Sequence, residues 1–154
     1  MGATISQLWA PPIIQVGFVG LPSAGKTAII HKLSRGQKPT LPLTDTVNTT
    51  YFFQGSQQYW IFDYTGDERV RGIWKNLLFG REAIVFVLDS TYRENTKETR
   101  EALWRVLREE MLGPQPVLIL ANKQDSPRVM ATSAITGEGL VVGLEWMRQI
   151  VRNN

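Results

Sequence analysis

Residues Gly20 to Thr27 read GLPSAGKT and place two glycines, a lysine and a threonine at the spacing G-x-x-x-x-G-K-T. That pattern suits a polyphosphate. Gly20 and Gly25 let backbone N–H groups converge on phosphate oxygens, including those of Ser23, Ala24 and Ala28. Lys26 brings charge to the β- and γ-phosphates, and Thr27 offers a hydroxyl to Mg²⁺. A helix starting at Lys26 would aim its positive end at the same anion. The apolar run IIQVGFV just before the loop has the length of one buried strand, which supplies the strand–loop–helix setting this chemistry needs.

A second group, Asn122, Lys123, Gln124 and Asp125, follows the apolar stretch Pro116 to Ala121. Ligands of α/β sheets bind at such carboxyl ends of strands. The Asp125 carboxylate can accept two parallel hydrogen bonds from N1–H and the 2-amino group of guanine. Adenine has neither donor and would leave that carboxylate unpaired. Lys123 can lay its aliphatic stem over the purine ring.

The elements that would position these residues alternate between apolar runs and amphipathic segments, the pattern of a mainly parallel α/β sheet flanked by helices. Strands are expected at 13–19, 50–53, 59–62, 83–88 and 117–121. Helices are expected at 26–34, in part of 68–78, at 94–111 and at 140–151, with 35–48 and 113–115 as loops. On the third helix Thr99, Leu103, Val106 and Leu107 share one face, and on the last Leu140, Leu144, Met147 and Val151 do, as helices covering a sheet require. The domain reading is an N-terminal segment over 1–12 and one domain over 13–154, and a chain of 154 residues is long enough to build a single core.

GLPSAGKT, DYTG at 63–66, VRGIWKNLLF, AIVFVLDSTYRE, ILANKQD and SAITGEGL together resemble the ADP-ribosylation-factor-like branch of the Ras-type small GTPases, in that family's order and over nearly the whole chain. The resemblance implies a P-loop NTPase fold of the small-GTPase kind that binds GTP and GDP with Mg²⁺. It implies two switch segments, near 40–50 and 63–78, which γ-phosphate contacts hold and hydrolysis releases and through which effectors and regulators dock. It also implies a base contact from Ser133 and the backbone N–H of Ala134, and a role in membrane traffic or in organelle or ciliary signalling. Asp63 would reach Mg²⁺ through water, the Gly66 N–H would meet the γ-phosphate, and Lys26 and Gly66 would stabilise the transferring phosphoryl group.

The sequence departs from that pattern in four places. The family usually carries a glutamine after the DxxG glycine to orient the attacking water; here it is Asp67, shorter, without an N–H donor, and negative. Slow turnover follows, whether Asp67 repels the transition state or merely faces solvent. Thr65 replaces a glycine, so a positive φ there would be costly and switch II would take a different path. In switch I Pro42 is followed by Leu43, so either a small register change brings the Mg²⁺-binding hydroxyl from Thr44, one residue on, or from Thr46, or the metal site lacks this ligand. Finally, only eleven residues separate Ala121 from Ser133, too few for a crossover helix and another parallel strand. The sheet is therefore expected to stop at five strands, lacking the last edge strand and its helix, with the strand at 117–121 uncovered. A true deletion, a splice form or a missing segment would each account for this.

The remaining features narrow partners and compartment. With no cysteine, there are no disulfides, prenylation box or palmitoylation sites. Lys plus Arg exceed Asp plus Glu by 17 to 14 and are spread along the chain, which argues against nucleic acid. Neither a signal peptide nor an apolar span is evident. Met1-Gly2-Ala3-Thr4-Ile5-Ser6 fits the N-myristoylation pattern, and one such chain on Gly2, helped by Ile5, Leu8 and Trp9, would give reversible contact with a cytosolic membrane face. The reading is a cytoplasmic or peripheral guanine-nucleotide switch with impaired hydrolysis. Its rival is a nucleotide-locked, GTPase-fold scaffold, with Trp60 and Trp74 as candidate interface anchors.

Overall fold

The computed structural model describes residues 11–35, 46–91, 94 and 96–123. The elements are β1 (Ile14–Val19), α1 (Lys26–Leu33), β2 (Val47–Gln54), β3 (Gln57–Tyr64), α2 (Glu68–Arg71), α3 (Trp74–Leu78), β4 (Ala83–Asp89), α4 (Thr96–Leu107), a 3₁₀ turn (Glu110–Leu112) and β5 (Val117–Asn122). The five strands form one sheet in the order β2-β3-β1-β4-β5. β1 runs parallel to β3 and β4, β4 parallel to β5, and β2 antiparallel to β3.

The apolar runs are long because β1 and β4 are covered on both faces. Alternate residues of β4 serve two separate cores: Ala83, Val85 and Val87 pack with Ile29, Ile30 and Leu33 of α1, while Ile84 and Phe86 pack with Val70, Trp74, Leu78, Ala102 and Val106 of the other three helices. Gly17 in β1 makes room for this second layer, since a methyl group there would lie 2.4 Å from Leu78 Cδ2. Burying each large apolar side chain contributes about 1.5–3 kcal/mol. This stiffens the strand ends from which the site is built.

Every strand expected from the sequence forms, with different limits. β2 begins at Val47 rather than at residue 50 because its pairing with β3 extends to Val47 opposite Tyr64, a cross-strand partnership that polar Asn48 and Thr49 do not announce. β2 turns into β3 through Gly55 and Ser56, where Gly55 has φ 61°, as a two-residue hairpin requires. The switch II helix is split at Gly72–Ile73. The 94–111 helix is shorter, ending at Leu107 before the 3₁₀ turn. Its buried stripe is Ala102 and Val106, flanked by half-buried Thr99 and Leu103, whereas Leu107 is exposed and not part of the core stripe. Among the described residues β5 is the last strand on its side of the sheet. The helix expected at 140–151 lies outside the described residues.

Candidate functional site

The phosphate loop is clamped between two strands. Gly20 has φ 149°, and a methyl group on it would lie 2.1 Å from the Val87 carbonyl oxygen of β4. Gly25, at the start of α1, has φ 96°, and a methyl group there would lie 2.1 Å from Asn122 Nδ2. Both glycines of the motif are thus required for space as well as for backbone freedom. Ser23 also takes a positive φ, 62°.

Lys26 is buried, and its ammonium group donates to the carbonyls of Gly20 and Leu21, each at 3.0 Å. An ammonium has three donors, so this geometry shapes the loop and leaves one N–H to offer a phosphate oxygen. Burial pulls the Lys26 pKa down, and the Asp63 charge opposes that. Next along α1, Thr27 Oγ1 donates to Asp63 Oδ2 at 2.5 Å. Burial pushes the Asp63 carboxyl above its usual range, against the Thr27 hydrogen bond and the Lys26 charge.

These residues fit Mg²⁺. Among the described residues no group of three or more His, Cys, Asp or Glu converges, so an all-protein cage is absent there. A hard cation that keeps several waters and shares phosphate oxygens needs only a hydroxyl and a carboxylate from the protein, and Thr27 with Asp63 is such a pair. Thr44 lies outside the described residues. Thr46, the alternative, accepts through its carbonyl from the Thr65 N–H at 3.1 Å.

The end of β5 supplies the other wall. Asn122 is buried, and its Nδ2 donates to the Ala24 carbonyl at 2.9 Å. Its own carbonyl accepts from the Ser90 N–H at 3.0 Å and the Ser90 hydroxyl at 2.7 Å. Asn122, expected as a cofactor contact, is also a strut tying the end of β5 to the phosphate loop. Lys123, with φ 63°, pairs with Asp89 at 2.7 Å. Burial raises the Asp89 carboxyl, but hydrogen bonds from Lys123 and Thr91 outweigh it and hold the group below its usual range. Lys123, Asp89, Leu88 and Thr99 line a cavity of about 410 Å³ together with the loop residues 21–24, within the size range of small-molecule sites. Gln124, Asp125, Ser133 and Ala134 lie outside the described residues.

Switch II gives Asp67 a partner that its motif does not name. Gly66 lies on the phosphate loop, where a methyl group would approach the Gly20 carbonyl oxygen to 2.3 Å and the Leu21 carbonyl carbon to 2.5 Å. Asp67 N-caps α2: Oδ1 accepts from the Arg69 N–H at 2.9 Å and from Arg69 Nε at 3.0 Å, and Oδ2 from Arg69 Nη2 at 3.0 Å. These bonds to the Arg69 side chain and backbone hold the Asp67 pKa at about 2. The carboxylate is neither a loose loop residue nor an uncompensated charge. Thr65 has no positive φ; its N–H donates to Thr46, its carbonyl accepts from Trp74 Nε1 at 3.2 Å, and its hydroxyl accepts from the Asp67 N–H at 3.4 Å. The threonine is therefore accommodated without the strain expected of it. Trp74 is buried at 2% exposure and serves the core rather than an interface, while Trp60 is half-buried beside Phe62.

Three residues of the site, Asp89, Ser90 and Thr99, are not marked by the motifs. An acidic residue ending a buried strand, in AIVFVLDS, is the signal that points to the first two. Thr99 carries none, because only the packing of α4 brings it to the cavity.

A strand–loop–helix cradle with a buried lysine, a hydroxyl–carboxylate pair and a second wall at the next strand end defines a P-loop nucleotide-binding protein of the small-GTPase fold. The ADP-ribosylation factor family profile matches residues 4–137, and the chain belongs to that family of GTP-binding switches. Among solved structures it is similar to the small GTPase Arl6 (BBS3) from Trypanosoma brucei, determined with the nucleotide analogue GppNp, with a TM-score of 0.78 and 22% identity over 92% of this chain and 99% of that one. Likeness at that identity concerns the fold.

Proposed function

We propose that this chain is a guanine-nucleotide switch that holds GTP well and hydrolyses it slowly. The observation carrying this reading is the contrast between Lys26, set with two N–H groups on the loop carbonyls beside the Thr27–Asp63 pair, and Asp67, whose two oxygens are engaged by Arg69. Mg²⁺, when bound, neutralises charge on the β- and γ-phosphates. Lys26 orients the same oxygens, Gly66 lies against the loop that carries them, and Asp67 holds α2 instead of a water. Asp125 selects guanine, with Ser133 and Ala134 beside the base. Effectors and regulators dock on the switch segments, and a myristoyl group on Gly2 gives reversible contact with a membrane of the traffic or signalling pathway served. No helix among the described residues is long and apolar enough to cross a membrane.

The test is the nucleotide carried by the purified protein, identified before and after incubation with a Mg²⁺ chelator, together with GTP affinity of Asp125→Asn. We expect guanine nucleotide released by the chelator, and an affinity loss of about 100-fold or more in the variant, because a donor then faces the 2-amino group. Equal GTP affinity in Asp125→Asn would refute the base-pocket assignment. Nucleotide that the chelator does not release would favour a locked scaffold.

A further inference from the structure

We propose that the outer face of α4 is a docking surface for an acidic protein segment that carries an apolar anchor. Lys97, Arg100, Trp104 and Arg108 recur at i, i+3, i+7 and i+11 and so share one side of the helix, the side opposite buried Ala102 and Val106. Trp104 is 45% exposed there, and Leu107, three residues on along the helix, is 43% exposed. Scattered exposed apolar residues are ordinary, but here the tryptophan lines a groove together with three arginines.

Charge decides what the patch fits. Arg100, Trp104, Arg105 and Arg108 line an open groove of about 460 Å³ in which Glu101 is the single acid. With Lys97, the face carries as much positive excess as the entire chain, whose net charge is +3. The Arg108 guanidinium lies 4.5 Å from the Trp104 ring centroid, a cation–π arrangement that holds both side chains flat before a partner arrives and lowers the ordering cost of binding. Tryptophan and arginine are also the side chains most enriched at binding hot spots. A flat anionic bilayer fits less well: the ring is laid under Arg108 rather than projected as a wedge, and Glu101 would face the lipid charge. A peptide can place carboxylates on Lys97, Arg100 and Arg108, avoid Glu101, and seat one aromatic or aliphatic side chain against Trp104 and Leu107.

The experiment uses the purified full chain and a short fluorescein-labelled peptide with glutamates flanking a phenylalanine and a leucine, read by anisotropy. Expected is saturable binding that weakens with salt. Trp104→Ala should reduce it by about tenfold, as should Arg100→Glu with Arg108→Glu, while Glu101→Lys should strengthen it severalfold. All these positions are exposed and outside the nucleotide site, so nucleotide affinity should stay at the parent value. The proposal would be overturned by binding no tighter than that of the same peptide with lysines for glutamates, by binding indifferent to Trp104→Ala, or by Trp104-dependent capture by phosphatidylserine vesicles with none by the peptide. Trp104-dependent self-association without peptide binding would overturn it in favour of a second copy.

Discussion

The phosphate loop and the switch II segment from Thr65 to Trp74 touch at Gly66, yet they hold their shapes by opposite means. The loop is fixed by missing side chains and buried groups: Gly20 and Gly25 press on Val87 and Asn122, and the Lys26 ammonium is enclosed by the loop's own carbonyls. Switch II is held by side chains near the surface. Asp67 caps α2 with Arg69, whose side chain is 88% exposed, and the Thr65 hydroxyl accepts from the Asp67 N–H. Arg71 Nη2, on a side chain 12% exposed, reaches Glu98 of α4 at 2.7 Å, and Val70 and the Trp74 indole anchor the segment from within. Contacts of the first kind are lost only when the core opens, whereas exposed pairs contribute little and exchange readily. A binding element that persists and a switch that can let go are therefore built side by side.

Substitutions should separate the two regions. The largest effect is expected from Lys26→Ala, which removes the buried charge and its bonds to Gly20 and Leu21; GTP affinity should fall by at least about 100-fold. Near-normal affinity by equilibrium titration would show that the loop needs no lysine.

Gly66→Ala comes next, because it drives a methyl group into Gly20 and Leu21, where backbone rather than a flexible side chain must yield. Overpacking of this kind costs about 1–3 kcal/mol, so both the melting temperature and GTP affinity should drop. Unchanged values would dissolve the contact on which the comparison rests.

A smaller and opposite effect is expected from Asp67→Gln. Single-turnover hydrolysis should rise about tenfold as an amide able to orient water replaces a carboxylate engaged by Arg69, with GTP affinity unchanged. Arg69→Ala is the companion variant. If the charge of Asp67 opposes the reaction, releasing it should slow hydrolysis below the parent rate; if the arginine only holds the cap, the rate should stay the same. A parent that turns over rapidly without a partner, and slows with Asp67→Gln, would make Asp67 a base.

The smallest effect is titrational. The folded pKa of Asp67, about 2, lies below the usual ~3.9 of an unfolded aspartate. Its contribution to stability is thus present above about pH 4 and fades as pH falls toward 2. Carboxyl titration by NMR should locate that midpoint, and Arg69→Ala should return it toward 3.9. A midpoint already near 4 in the parent would mean that the Asp67–Arg69 clamp is open in solution.

Much of the binding element is legible in the residues alone. GLPSAGKT specifies its own geometry because glycine and lysine have few other reasons to recur at that spacing after a buried strand, and β1, β4 and β5 can be read because parallel strands are written as nearly unbroken apolar runs. Less legible is anything made by partners distant in the chain. The early start of β2 depends on Tyr64, and the strut role of Asn122 on the Ala24 carbonyl, 98 residues away. For Asp67 the family pattern points to the water that a glutamine would hold. The local run Asp-Glu-Arg, as cap, first turn and counter-ion, already contains the partner it uses, Arg69 two residues on.

By itself the sequence determined a P-loop α/β domain, the lysine and hydroxyl that its phosphate motif supplies, and the absence of the usual glutamine, because these follow from local residue type and spacing. Only the tertiary structure decided that Thr65 fits without positive φ and that Trp74 is core while Trp104 is surface. Those outcomes depend on which side of each helix the sheet covers, and that is settled by the packing of elements far apart in sequence.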